Sequence, residues 1–211
     1  MKFFKMLLVA IVAVQFTSCN SDFEEESDWI CILPPDWGQP VFTLDSDSIP
    51  HFNALNPMSM ADFEARVVGY GWHCNALQRI NNDGFISSDN LLGQYFGLGP
   101  THYYFDKDIL RKFMYIDHLG YINGGMMYLD QGYTYDDETA HIHVGNYDEL
   151  QLFSYFDSSD GKVFLYCICL FGIDSAEVPR YCVATFQRMT NAELNDVRNL
   201  YSVNFADYLS N

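Results

Sequence analysis

A pair of histidines two positions apart, His141 and His143, is the best candidate for a metal site in the sequence. Residues two apart on a β-strand point to the same face, so both imidazoles could bind one ion. The acidic residues 136–138 precede the pair and would supply an oxygen ligand. The same alternation places the intervening Ile142 on an apolar face, so the alternative is that both histidines are ordinary surface residues.

Two cysteines, Cys167 and Cys169, also lie two apart, within the apolar segment 162–171. On a strand their Cα atoms would be roughly 6.6 Å apart with parallel side chains, which disfavours a disulfide between them. If 162–171 and 180–188 form a hairpin, Cys169 faces Cys182, and an exported protein could form a cross-strand disulfide there. The alternative is that these cysteines are free and fill space in the core.

Tyrosine and phenylalanine are concentrated between residues 103 and 135. Flat aromatic faces with a polar tip suit stacking on sugars or the lining of a ligand pocket. At strand spacing they also serve as ordinary core residues. From this region and the flanking strands we predict a set of ligand-facing side chains, Trp72, Tyr104, Tyr115, Tyr128 and Arg188.

Motifs of nucleophilic or zinc-dependent hydrolysis are absent from the sequence, which contains neither Gly-x-Ser-x-Gly nor His-Glu-x-x-His. No catalytic residue and no cofactor is therefore predicted, and a binding protein is favoured over an enzyme. A hydrolase with two converging carboxylates remains an alternative, because a chain with 28 Asp and Glu residues could form such a pair anywhere.

Short β-type segments separated by turn residues make up most of the chain after Gly69. Two short helices flank them, at about 59–68 and 191–201, and each begins with a capping-box pattern. About ten short strands usually close into a barrel or split into two layers. The sequence thus predicts a mainly β fold, an antiparallel up-and-down barrel or meander. Its strands are expected near residues 70–80, 84–87, 101–106, 112–117, 120–129, 132–135, 139–145, 149–157, 162–171 and 180–188.

Residues 1–18 have the pattern of a signal peptide, with two lysines, an apolar run of eleven residues interrupted once, and then small residues. The run is too short to span a bilayer, which takes about 20 apolar residues. Cys19 completes a segment that resembles a bacterial lipobox, where a lipid is attached to the cysteine and the chain is cut before it. The alternative is an ordinary secretory signal followed by a chance cysteine.

Residues 19–57 begin with an acidic run and contain five of the seven prolines, which is typical of a tether partly docked on the following domain, 58–211. The acidic run would not be attracted to an anionic membrane surface. It resembles the export signal of Bacteroidetes surface lipoproteins. We therefore expect a protein held in the outer membrane by a lipid on Cys19 and exposed at the cell surface. A periplasm-facing lipoprotein is the alternative.

The charge balance limits the classes of partner. The chain carries 28 acidic and 11 basic residues, a formal net charge of −17. Binding of nucleic acid needs clustered lysine and arginine, so no nucleic-acid partner is expected. Apolar residues make up 49% of the chain and charged residues 18%, which excludes a disordered protein.

The segment 63–72, with Gly69, Gly71 and Trp72, and the closing Phe-Gln-Arg of residues 186–188 resemble Bacteroidetes lipoproteins with lipocalin-like barrels. The resemblance implies a lipocalin-like barrel over residues 60–211 in a cell-envelope setting, and it assigns no catalytic residue. In such a barrel Trp72 would close the floor beneath Arg188 in a cation–π contact. A Trp72 that is simply buried is the alternative.

Three functions follow from these features. The first is a cell-envelope protein that binds a small apolar or glycan ligand. The second is an accessory or protein-interaction module whose barrel is filled by side chains and whose surface docks another envelope protein. The third is an unrecognised hydrolase.

Overall fold

The computed structural model describes residues 40–53, 56–92, 100–119, 122–173 and 179–209. The predicted signal peptide, Cys19 and most of the predicted tether lie outside the described residues. The strands are β1 (Phe42–Leu44), β2 (Pro50–Phe52), β3 (Gly71–Ile80), β4 (Ile86–Asn90), β5 (Pro100–Phe105), β6 (Ile109–Leu119), β7 (Ile122–Asp136), β8 (His141–Val144), β9 (Tyr147–Asp157), β10 (Val163–Ile173), β11 (Pro179–Arg188) and β12 (Val203–Asn204). The helices are α1 (Met60–Arg66), α2 (Asn191–Leu200) and α3 (Ala206–Leu209).

Eight strands close into an antiparallel barrel. Strands β5 to β11 follow one another around the sheet, and β11 pairs with β3 to complete the circle. The closing register runs from Arg188 opposite Trp72 to Cys182 opposite Arg79. This arrangement confirms the predicted mainly β, lipocalin-like barrel.

Strands β4 and β5 both pair with the same edge of β3, one at each end. In the stretch of β3 between these two pairings, the Asn90 side-chain amide makes hydrogen bonds to the β3 backbone in place of a neighbouring strand. Its Oδ1 accepts from the Leu77 N–H at 3.0 Å, and its Nδ2 donates to the Asn75 carbonyl at 3.3 Å. The side chain thus satisfies backbone groups that an interrupted ladder would leave unpaired.

Both helices that the sequence predicts begin at their expected caps. The Ser59 hydroxyl accepts from the Asp62 N–H at 3.2 Å at the start of α1. At the start of α2, Thr190 and Glu193 form a complete capping box. The predicted separate strands 120–129 and 132–135 are wrong, because β7 continues through Gly132, which stays in register with Ile109 on β6.

The barrel interior is filled at the end that α1 covers. Phe63 of α1 stacks on Tyr135 with ring centroids 4.1 Å apart, and Trp72 is fully buried beside it. A cavity of only about 10 Å³ remains among these side chains. That volume is at the lower limit for a single water molecule, so no organic ligand fits there.

Two elements cover the outside of the barrel. The hairpin of β1 and β2 packs Phe42 and Phe52 on Phe153, with ring centroids 5.3 and 4.8 Å from it. Elsewhere α2 packs Leu194 over Gly71, where an added Cβ would lie 2.7 Å from the leucine Cδ1. Among the described residues, no helix has the length and apolar character needed to cross a membrane.

Candidate functional site

The end of the barrel opposite α1, where β3 ends and β11 begins, is called the rim here. A pocket of about 560 Å³ opens at the rim, within the range of about 300–1,000 Å³ that is usual for small-molecule sites. It lies between the β1–β2 hairpin, the turn after β3 and the first residues of β11. The lining residues are Leu44, Ser48, Pro50, Arg79, Ile80, Asn81, Asn82, Asp83, Arg180 and Tyr181.

The closure of the barrel brings two arginines into this rim pocket. Arg79 is opposite Cys182 on the β3–β11 ladder, and directly opposed residues share one face of a sheet. Arg180 precedes Cys182 by two positions and so lies on that face as well. Residues 101 positions apart in the sequence therefore contribute both guanidinium groups to one pocket.

The Arg79 guanidinium is incompletely satisfied by the protein. Its Nε is buried and has no hydrogen-bond partner among the described residues. A buried donor without a partner costs about 1–3 kcal/mol, more when it is charged. Arg79 also lines the rim pocket, so an incompletely paired guanidinium belongs to its wall.

Asp83 is the one carboxylate among the residues that line the rim pocket. With two arginines and one aspartate, the lining carries a net charge of +1, although the whole chain carries −17. Beyond about 8 Å the distant carboxylates are largely screened at physiological salt. Asp45 and Asp47 are chain neighbours of the lining residues Leu44 and Ser48, so the charge around the pocket is mixed. The two arginines are the groups of the lining that suit a negative group on a ligand, and the Asn, Ser and Tyr side chains offer neutral hydrogen bonds.

The barrel wall also holds a buried polar cluster, formed by Lys112, Glu149 and Tyr103. The Lys112 ammonium pairs with Glu149 Oε2 at 2.5 Å, and the Tyr103 hydroxyl donates to Glu149 Oε1 at 2.9 Å. The side chains of the ion pair are only 11% and 17% exposed. Burial and the nearby Glu149 charge raise the pKa of Tyr103 well above its usual value, so this hydroxyl stays protonated.

A second groove, of about 380 Å³, lies on the outside of the barrel between α2 and the strands. We call it the histidine groove, and its lining residues are His73, His102, Gln187, Arg188, Met189, Glu193, Asp196 and Val197. The two imidazoles touch, with 2.7 Å between their Nδ1 atoms. The His73 side chain is open to solvent on one side, and desolvation on its packed side lowers its pKa. Burial, together with the charge of His73, lowers the pKa of His102 to about 4.

Trp72 and Arg188 do not form the predicted cation–π pair. Trp72 has no exposed surface, and its Nε1 donates to the Val67 carbonyl at 3.2 Å. The Arg188 guanidinium instead lies over Tyr70, 4.7 Å from the ring centroid. Trp72 is therefore simply buried at the closed end of the barrel, as the alternative predicted.

The predicted ligand-facing tyrosines do not line any of the cavities found in the described part of the chain. Tyr104 and Tyr128 are stacked under arginines, Arg198 at 4.4 Å and Arg111 at 4.3 Å from the respective ring centroids. Tyr115 is half-buried on β6, opposite Met126 of β7. These rings pack against neighbouring side chains and form no common binding face.

His141 and His143 stack with their ring centroids 5.7 Å apart, so they lie on one face as predicted from strand alternation. His141 Nδ1 lies 3.0 Å from the Thr139 hydroxyl. Asp136, the expected oxygen ligand, accepts from that same hydroxyl at 2.7 Å. Within the described ranges, no group of three His, Cys, Asp or Glu side chains is placed to hold a metal ion.

Cys169 and Cys182 are directly opposite each other on β10 and β11, in the register that the hairpin predicts. The predicted disulfide is not formed: both thiols are free, and Cys169 Sγ approaches the Cys182 carbonyl at 3.7 Å. Burial raises the pKa of Cys182 to about 12 and that of Cys169 well above its usual value. Both thiols stay protonated; Cys182 is a buried core residue, and the half-buried Cys169 packs against the same core.

Carboxyl groups with the raised pKa of a general acid are not found in the described part of the chain. The four carboxyl groups with a resolved shift, Asp45, Asp136, Asp160 and Glu193, all have a lowered pKa. Their largest causes are hydrogen bonds from neighbouring groups. The rim pocket holds a single carboxylate, so it lacks the two that glycoside hydrolysis needs.

Sequence reasoning missed the two arginines of the rim pocket and the histidines of the histidine groove. Arg79 and Arg180 follow the alternation of their strands but are far apart in sequence, and so are His73 and His102. The closing β3–β11 register joins the two arginines, and the β3–β5 register joins the two histidines. No signal in the sequence singles out the two arginines, because Lys112, Lys162 and Arg188 also lie at the ends of predicted strands.

Comparison with protein-family models, with curated proteins and with solved structures finds no match to this chain.

Proposed function

We propose that the protein is a cell-envelope lipoprotein that binds a small anionic ligand, an acidic glycan in the first instance, in the rim pocket. One observation carries the proposal: a pocket of about 560 Å³ contains Arg79 and Arg180, and the buried Nε of Arg79 has no partner among the described residues. Guanidinium groups bind carboxylates strongly because their hydrogen bonds are charge-assisted.

The chemical class of the ligand follows from the lining of the pocket. The two arginines suit a sugar with one carboxylate, and Ser48, Asn81 and Asn82 suit its hydroxyl groups. Leu44 and Ile80 offer apolar contact to the faces of the sugar ring. The filled interior near α1 supports a site at the rim over one deep inside the barrel.

The envelope setting is supported by the sequence of the first 28 residues. Residues 1–18 have the signal pattern, Cys19 follows it directly, and the acidic run after Cys19 suits display at the cell surface. Mass spectrometry should find an acylated amino terminus at Cys19. Protease treatment of intact cells should remove the protein if it faces outward, and a mature product that starts elsewhere without acyl chains would refute the anchor.

Binding can be tested by isothermal titration of the purified protein with uronic-acid sugars and with their neutral counterparts. We expect binding of the acidic sugars only. Arg79→Gln and Arg180→Gln should each weaken it about 10- to 100-fold, which corresponds to losing a charged hydrogen bond of about 1.5–3 kcal/mol. Lys162→Gln is the matched control, because Lys162 forms an exposed pair with Asp160.

Two results would contradict the proposed function. One is equal binding of acidic and neutral sugars by the wild-type protein. The other is an unchanged affinity in both arginine variants while Lys162→Gln also binds normally. Either result would mean that the guanidinium groups of the rim pocket do not recognise the ligand.

A protein-interaction module is the second candidate, and the filled interior favours it. Tyr147 is 79% exposed at the start of β9 and Leu170 is 51% exposed on β10, so apolar side chains are available on the surface. Crosslinking in whole cells that recovers one stoichiometric envelope partner, together with no binding of any acidic sugar, would favour this function over ligand binding.

A further inference from the structure

The register of the barrel places two imidazoles side by side on its outer surface. His73 of β3 is directly opposite His102 of β5, so their side chains leave the sheet on the same face. The rings are stacked at 4.6 Å between centroids, and their Nδ1 atoms are 2.7 Å apart. A cross-strand pair of this kind presents two nitrogen donors from rigid neighbouring strands.

The 2.7 Å contact is a hydrogen bond between the two Nδ1 atoms, so an ion bound by both nitrogens would replace the shared proton. Imidazole is a common ligand of Zn²⁺, Cu²⁺ and Ni²⁺. The affinity of nitrogen and oxygen sites for divalent ions of this series is greatest for Cu²⁺, so Cu²⁺ is the ion expected to compete best for the pair.

The surroundings hold one imidazole in place and leave the other open. His102 packs edge-to-face against Tyr201 at 5.6 Å and against Phe113 at 6.5 Å between centroids. His73 is exposed to solvent, so an ion can reach the pair from the groove. One fixed ligand and one adjustable ligand require little reorganisation on binding.

Oxygen donors line the same groove. Glu193 and Asp196 of α2 lie along it, and the negative charge of Glu193 acts on His73. Arg188 is the cation that lines the groove, and its guanidinium lies over Tyr70. Because the described residues contain no preformed group of three ligands, water or one of these carboxylates would complete the coordination.

We propose that His73 and His102 form a two-imidazole site for a divalent transition-metal ion, Cu²⁺ above Zn²⁺. The site is separate from the rim pocket, because the two share no lining residue. Anionic ligand binding and metal binding can therefore be gained or lost independently of each other.

The test is a titration of the EDTA-washed purified protein with Cu²⁺ and with Zn²⁺, combined with electron paramagnetic resonance of the copper form. We expect one Cu²⁺ per chain at this site, nitrogen couplings from two imidazoles, and a Zn²⁺ affinity at least tenfold lower. His73→Ala should weaken Cu²⁺ binding at least tenfold. The double variant His141→Ala/His143→Ala is the matched control and should bind like the wild type.

The proposal is overturned if the wild-type spectrum shows fewer than two imidazole ligands. It is also overturned if His73→Ala binds Cu²⁺ within twofold of the wild type, or if the loss appears in the His141/His143 variant instead. The spectrum of the wild-type protein gives an answer even if a variant folds poorly. Circular dichroism of His73→Ala checks its fold, which should persist because His73 is exposed.

Discussion

Replacing Lys112 with methionine removes the cation from the buried polar cluster while keeping a side chain of similar length. Glu149 then keeps only the hydrogen bond from Tyr103, at 2.9 Å. Its side chain is 17% exposed, so water replaces the lost ammonium poorly. Breaking a buried ion pair from one side typically costs about 3–5 kcal/mol, because the remaining charge is left uncompensated. We expect Lys112→Met to lower the free energy of unfolding by this amount.

The exposed pair of Lys162 and Asp160 provides the matched control. Its nitrogen–oxygen distance is 2.8 Å, but the side chains are 53% and 56% exposed. An ion pair this exposed contributes about 0–1 kcal/mol to the free energy of unfolding. Lys162→Met should therefore change stability far less than Lys112→Met, although both remove one lysine from one carboxylate.

Equilibrium unfolding in urea, followed by circular dichroism, measures these differences. The double variant Lys112→Met/Glu149→Leu removes both charges and leaves only the Tyr103 hydroxyl without its acceptor, at a cost of about 1–3 kcal/mol. It should therefore be more stable than Lys112→Met alone. The reasoning is refuted if Lys112→Met costs no more than Lys162→Met, or if the double variant is the less stable of the two.

Three further outcomes are expected. Gly71→Ala should lower the free energy of unfolding by about 1–3 kcal/mol and speed hydrogen exchange in α2, because the new Cβ would lie 2.7 Å from Leu194. Gly125→Ala is the control and should leave stability nearly unchanged, because no atom lies within 4 Å of its Cβ position. Because the pKa of His102 is lowered to about 4, its neutral form stabilises the fold above about pH 6.5, and roughly 1–2 kcal/mol is lost as pH falls to 4. Metal-free His102→Gln should show a flatter stability–pH curve over that window, and a parallel curve would contradict the assignment. Iodoacetamide should alkylate Cys182 at pH 8 far more slowly in the native than in the urea-unfolded protein, as mass spectrometry can show; equal rates would contradict its burial.

Local signals in the sequence predicted the elements of the fold well. The N-caps at Ser59 and Thr190 involve residues three apart, so they can be recognised in the sequence. The residues of β10 are apolar on both faces, which is typical of a strand covered on both sides. Its inner face joins the barrel core, and its outer face carries Tyr166 and Ile168 in a cluster with Phe42.

The direction in which the aromatic side chains face was beyond sequence reasoning. Tyr103 and Tyr104 are neighbours, yet Tyr103 packs in the core and Tyr104 lies under Arg198 of α2. The alternation of residues along a strand assigns each side chain to one of two faces. It does not show which face points into the barrel when a helix also covers the outer face. The same applies to Tyr128, which lies beneath Arg111.

The candidate sites depend on register between strands distant in sequence. A shift of one residue between β3 and β11 would turn Arg79 away from the face of Cys182, and no local pattern fixes that register. Likewise, 29 residues and the whole of β4 separate the two histidines of the groove. Pairing between distant strands, and not local propensity, creates both sites.

The pairing of β3 with β11 has a consequence for how the chain folds. One edge of β3, residues 72–79, pairs with residues 182–188, so the barrel cannot close until β11 has been synthesised. A fragment that stops before β11 would leave two unpaired strand edges, which promote aggregation. Contacts between residues so far apart in sequence also slow folding.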